Sequence, residues 1–156
     1  MTSKNTKNIS SKISHVLATF FYIGYAPKMP GTAASLVTML LVYFLPLLPI
    51  MYGIIIVSMI LVCGVIVSGN FEKDSGIKDP SIVVIDEVAG MWLALLFTPK
   101  TIAWYLVAFG LFRFFDIYKP HPIDIPDKLM TGGWGIMLDD ILAGLATGVI
   151  ILMFVY

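Results

Sequence analysis

The chain has 156 residues, 58% of them hydrophobic and 13% charged, with a mean hydropathy of +0.91. Soluble domains average about 45–50% apolar and about 25% charged residues, so this composition excludes an ordinary soluble domain and indicates a single membrane-embedded one. A formal net charge of zero offers no basic surface for nucleic acid, and one cysteine, Cys63 in an apolar run, excludes an internal disulfide or a thiolate metal cluster and reads as packing.

Residues 1–12 (MTSKNTKNISSK) are polar and basic and read as a disordered tail ahead of one domain over 13–156. The next segment, 13–24, reads as an interfacial or half-inserted amphipathic helix. It is not read as a signal peptide, because a small-residue cleavage pattern is missing and Pro27-Lys28-Met29-Pro30 follows. No charged residue stands between Lys28 and Glu72, far more chain than one hydrocarbon core needs, and Pro46 and Pro49 interrupt it. A helical hairpin over 32–48 and 50–68 follows. A second hairpin, 82–97 and 102–118, turns through Thr98-Pro99-Lys100, and the last span, 137–156, ends in Phe154 and Tyr156, residues suited to a membrane interface. The predicted fold is all-α: a polytopic membrane bundle with about five spans plus the N-terminal interfacial helix.

Charge then sets sidedness. Only Lys100 falls on the short-turn side; Lys4, Lys7, Lys12, Lys28, Lys73, Lys78, Arg113, Lys119 and Lys128 fall on the other, which the positive-inside rule makes cytoplasmic.

The acids carry the chemistry. Asp86 and Glu87 stand about a turn inside their predicted span, and Asp139 and Asp140 open theirs. A charge at a span's centre costs about 2.5–3.5 kcal/mol on insertion scales and less near the interface, so such residues call for a role or a partner. Asp86, Gly90 and Ala94 recur at i, i+4, i+8, as do Asp140, Gly144 and Gly148. Small residues at that spacing let helices approach closely. If the two seams face each other, Asp86 and Asp140 converge, and carboxylates that close require a cation or a shared proton. Plainer readings stand beside this one: helix-dipole stabilisation for Asp139 and Asp140, a structural ion pair for Arg113 with Asp116, a solvated loop face for Glu72, Lys73, Asp74 and Lys78, and a loop position for His121.

An oxygen-rich, thiolate-free set of carboxylates suits Mg²⁺. Lys28, Arg113, Lys119 and Lys128 are placed to hold an anion, and Gly132 and Gly133 within Thr131-Gly132-Gly133-Trp134-Gly135 to bring backbone N–H groups to it. Together these features suggest phosphate chemistry on a lipid. Other phosphatase and hydrolase signatures are missing. Gly69 stands where a cysteine phosphatase built on Cys63 would need arginine, and the chain has no Asp-x-Asp, Walker A or His-Glu-x-x-His motif.

Three stretches together, 24–32 (GYAPKMPGT), 79–92 (DPSIVVIDEVAGMW) and 112–144 (FRFFDIYKPHPIDIPDKLMTGGWGIMLDDILAG), resemble the phosphatidylglycerophosphatase A family in order and spacing, within a likeness covering 13–156. The resemblance implies an Mg²⁺-dependent, multi-pass phosphatase of the bacterial inner membrane with its active site facing the cytoplasm. It would hydrolyse phosphatidylglycerophosphate to phosphatidylglycerol and inorganic phosphate. On that basis Asp79, Asp86, Glu87, Asp139 and Asp140 would ligate Mg²⁺ directly or through water, with one carboxylate handling the attacking water. Lys28, Arg113 and Lys119 would neutralise the phosphate, Gly132 and Gly133 would line its site, and Asp116 would hold Arg113 or act as a ligand. Direct attack by water and an aspartyl-phosphate intermediate both remain open. The family usually reads Gly-Thr-x-Gly-Ser after Pro30; Ala34 replaces the second glycine here, which bears on local packing. The rival class is a small ion-coupled transporter using intramembrane acids, but that class favours mid-span charges and internal repeats, and neither is found. A phosphotransferase acting on nucleotide-activated lipids would carry an Asp-Gly-x-x-Ala-Arg run, also not found.

Overall fold

A computed structural model describes residues 12–155. The polar tail expected over 1–12 lies outside them, apart from Lys12, which is already helical. Helices follow in order as α1 (12–18), a 3-10 turn (Ile23–Tyr25), α2 (Pro30–Phe44), α3 (Ile50–Ser75), α4 (Ile85–Leu96), α5 (Ile102–Tyr118), α6 (Ile125–Leu129) and α7 (Gly133–Val155), with no strand among the described residues.

Local chemistry sets most of the boundaries. Pro30 opens α2, where its missing N–H costs nothing, and the chain leaves the helix before Pro46. Gly76, at φ 68, closes α3 by returning its N–H to the Glu72 carbonyl. Thr101 caps α5 by accepting the Trp104 N–H on its hydroxyl.

Every expected span contains a helix, but the lengths differ. α3 continues past residue 68 because no proline intervenes and the helix carries Gly69 in its interior, ending only at Gly76. α4 starts at Ile85 rather than 82, because the Val83 and Val84 N–H groups are taken by Pro80 and Ala18 carbonyls at 2.8 and 2.9 Å. With 12 residues it is about 18 Å long, short of a core of about 30 Å. Among the described residues α3 and α7 are long and apolar enough to cross a membrane, two helices rather than five. Along α3, Met51, Ile55, Met59, Val62 and Ile66 recur on one face and are all exposed.

The helix expected over 13–24 ends at Ala18. The Thr19 hydroxyl donates to the His15 carbonyl at 2.8 Å, and Phe20, Phe21 and Tyr22 then take positive φ angles that no helix continues. This segment docks onto the 79–84 loop: a Cβ on Gly24 would strike the Ile82 carbonyl.

α4 is the hub, touching α2, α3, α5 and α7, most extensively α7. Its buried residues (Ile85, Val88, Ala89, Gly90, Met91, Ala94, Leu95) run right round it, as a central helix requires. One apolar cluster joins α1, α3, α4 and α7 through Ala18, Val67, Val84, Val88 and Met137; the other joins α2, α4, α5 and α7 through Met39, Met91, Ala108, Phe112 and Ala143.

Candidate active site

The close crossing of α4 and α7 gathers the acids. A Cβ on Gly144 would overlap the Gly90 carbonyl, and one on Gly90 would overlap the carbonyl of Asp140. The two helices run the same way, so Asp86, one turn before Gly90, and Asp140, one turn before Gly144, meet at the same end. One carboxylate oxygen from each of Asp86, Glu87 and Asp140 lies within 4.8 Å of the others. Since α7 begins at Gly133 rather than near 137, Asp139 and Asp140 stand nearly two turns inside it, beyond the reach of simple end-capping.

A cavity of about 290 Å³ opens over this trio. Its wall includes Asp79, Asp86, Glu87, Arg113, Asp116, Lys119, Asp139 and Asp140, so eight of the sequence-predicted residues share one pocket. Arg113 pairs with Asp116 on its own helix, stands 3.8 Å from Glu87 on α4, and donates to the Ser35 hydroxyl on α2 at 3.4 Å. Lys119 pairs with Asp139, which also accepts the Asp140 N–H at 3.0 Å on its other oxygen. Asp139 is thereby engaged on both oxygens, and it and Asp79 line the pocket outside the close trio.

The trio keeps unanswered acceptors: Asp86 Oδ1, Glu87 Oε2 and Asp140 Oδ2 are buried and have no hydrogen-bond partner. Buried, unpaired carboxylates are expensive unless a cation or protons compensate them. Three hard oxygens within reach of one point fit Mg²⁺ better than a thiophilic metal.

Four other residues that the sequence singles out for anion binding lie elsewhere. Lys28 is exposed in the loop beside Met29 and is absent from the pocket wall. Gly132 and Gly133 line a separate cavity of about 540 Å³ with Asn70, Glu72 and Lys73. Packing explains them: Gly132 takes φ 70 in the turn into α7, and a Cβ on Gly133 would strike the Val65 carbonyl of α3. Lys128 pairs with Asp124, whose carboxyl its hydrogen bond holds below the usual range; His121 Nδ1 lies 3.3 Å from the same acid.

Sequence reasoning did not single out Gly31, which lines the pocket, or Ser35, which contacts Arg113; their signal was the Gly-Thr-x-x-Ser stretch at the start of α2. It also missed the backbone. Met29, Asp79 and Lys119, non-glycine residues at φ 51, 48 and 42, all line the pocket. Such conformations persist where surrounding structure enforces them, often at functional sites.

The family model for Phosphatidylglycerophosphatase A matches residues 16–155. The chain is 38% identical over 131 residues to a Phosphatidylglycerophosphatase A of Escherichia coli, covering 83% of this chain and 76% of that protein. It is 36% identical over 144 residues to one from Haemophilus influenzae, covering 91% and 88%. A Bacteroides thetaiotaomicron protein, provisionally named a phosphatidylinositol-3-phosphatase, is 35% identical over 144 residues, covering 87% and 89%. No solved structure matches. This chain therefore belongs to the phosphatidylglycerophosphatase A family, a family of phosphatase enzymes.

Proposed function

We propose that this protein hydrolyses phosphatidylglycerophosphate to phosphatidylglycerol and inorganic phosphate at the cytoplasmic face of a bacterial inner membrane, with Mg²⁺ held by Asp86, Glu87 and Asp140. The observation carrying this reading is the trio of carboxylate oxygens within 4.8 Å, in a pocket walled by Arg113 and Lys119. Anion-binding and cation-binding groups thus meet in one place, as hydrolysis of a phosphomonoester requires.

Mg²⁺ bound there supplies Lewis-acid polarisation of the phosphoryl group. The Arg113 guanidinium matches two phosphate oxygens in its planar fork, and Lys119, tethered by Asp139, adds a point charge. A carboxylate of the pocket, Asp86 or Asp140, accepts a proton from the attacking water as the water oxygen bonds to phosphorus. The phosphorus–oxygen bond to the glycerol breaks, and the same carboxylate returns the proton to the leaving oxygen, giving the glycerol hydroxyl and inorganic phosphate. Asp116 keeps Arg113 in place from one turn along α5. The substrate's acyl chains stay in lipid while its headgroup enters the pocket.

The membrane placement rests on the exposed apolar face of α3 and on the lysines and arginine at the pocket end. In this reading α3 and α7 cross the bilayer, and α2, α4 and α5 complete a five-span bundle beside them.

The test is phosphate release by the purified protein in detergent, with Mg²⁺ and with chelator, from phosphatidylglycerophosphate and, for comparison, phosphatidylinositol 3-phosphate. Asp86→Asn and Asp140→Asn should each lose about 100-fold or more in turnover. Undiminished turnover in chelator would end the metal proposal, and preference for the inositol lipid would move the substrate. A carrier would move cations across vesicles and release no phosphate.

A further inference from the structure

We propose that Ser35, with room provided by Gly31, is a positioning residue that fixes Arg113 for phosphate binding. This rests on the reading above, in which Arg113 meets the substrate phosphate.

Ser35 is fully buried in the second turn of α2. Its hydroxyl donates to the Gly31 carbonyl at 2.8 Å, the ordinary i−4 bond of a helical serine, and that bond already satisfies it. Buried Thr38, Thr98 and Thr147 make the same bond to the carbonyls of Ala34, Ala94 and Ala143. Ser35 alone among these also receives a charged donor, Arg113 Nη1, from 78 positions away. With its proton committed to Gly31, the oxygen faces the guanidinium as an acceptor. Gly31 then matters for space: a Cβ there would land on Glu87 Oε1 and within 3.2 Å of Arg113 Nη1.

Three helices therefore hold one guanidinium, α5 through Asp116, α4 through Glu87 and α2 through Ser35. The first two partners are anions that compete with phosphate for the same donors. Ser35 is neutral. It holds Nη1 without neutralising the charge, so the positive end stays available in the pocket. Arg113 Nε, buried and without a partner, is a donor that a phosphate oxygen would satisfy. Removing the hydroxyl leaves Nη1 to its two carboxylates and draws the guanidinium away from the ligand.

The experiment compares wild type with Ser35→Ala and Ser35→Thr, alone and in an Arg113→Lys background. It measures KM and kcat on phosphatidylglycerophosphate, inhibition by inorganic phosphate, and the unfolding midpoint without and with inorganic phosphate. A hydrogen bond to a charged group is worth enough that Ser35→Ala should weaken both KM and phosphate inhibition about five- to tenfold. Turnover should stay within about twofold, because the lost contact serves ground and transition states alike. Ser35→Thr should restore phosphate inhibition, and Ser35→Ala should add nothing beside Arg113→Lys. A lowered midpoint with unchanged phosphate inhibition would reduce Ser35 to a structural serine and overturn the proposal, as would additivity of the two substitutions. Should the wild type leave the lipid intact, the substrate reading fails alone: protection of the fold by inorganic phosphate needs no lipid and still decides the role of Ser35.

Discussion

Gly144 lies directly against the carbonyl of Gly90, so that α7 and α4 touch backbone to backbone one turn beyond the paired acids Asp140 and Asp86. The contact fixes how far apart the two carboxylates can be. A methyl group has nowhere to go on either side, because the obstructing atoms are main-chain carbonyls. Gly144→Ala and Gly90→Ala should therefore each destabilise by about 1–3 kcal/mol. They should also depress phosphatase activity more than the stability loss accounts for, by spreading the acids. Unfolding midpoints and turnover on the same preparations check this; unaltered activity in both variants would detach the site from the crossing.

The three converging carboxylates, Asp140 buried and Asp86 and Glu87 half-buried, repel one another when ionised without a cation. Mg²⁺ should therefore raise the unfolding midpoint of the wild type, by about 2.7 kcal/mol of stability at 100 times its dissociation constant, since it binds only the folded site. Asp140→Asn should abolish that increment while leaving the metal-free midpoint equal or higher. Thermal unfolding with and without Mg²⁺ reads both.

Lys119 and Lys128 each pair with an aspartate, in different surroundings. Asp139 is buried, whereas Asp124 is half-buried and its partner Lys128 is exposed. Lys119→Ala strands a buried carboxylate and should cost about 1–3 kcal/mol. Lys128→Ala should leave stability unchanged, as surface pairs usually do. Equal effects in denaturation experiments would contradict this ranking.

Gly133→Ala separates packing from substrate binding. A Cβ there meets the Val65 carbonyl rather than the pocket, so the variant should lose stability while the remaining folded enzyme keeps its KM. A raised KM with a normal midpoint would restore Gly133 to the substrate site.

Much of this arrangement was legible in the chain. Prolines at 46 and 49 and the turn at 98–100 mark the hairpins, because a missing N–H is a local fact. The seam of Gly90 and Gly144 was readable because close packing in apolar surroundings favours small residues at helical spacing. Where α7 begins was not readable: Gly132 and Gly133 look equally like a phosphate loop and a tight entry into a helix, and the close approach of the Val65 backbone to Gly133 has no signal in the local sequence. The stop after Ala18 was hidden as well, since Phe20, Phe21 and Tyr22 carry no turn signature and their positive φ is imposed by docking. The contact of Ser35 with Arg113 was invisible, because its partner stands 78 positions away on another helix. Helix length was not readable either: α4 has 12 residues, with buried residues around its whole circumference.

Binding of Mn²⁺, a paramagnetic substitute for Mg²⁺, measured by electron paramagnetic resonance on the wild type, Asp86→Asn and Asp140→Asn, tests most directly whether the converging carboxylates hold a cation. The account predicts saturable binding in the wild type, competed by Mg²⁺ and lost in both variants. Equal Mn²⁺ affinity in all three proteins would contradict it.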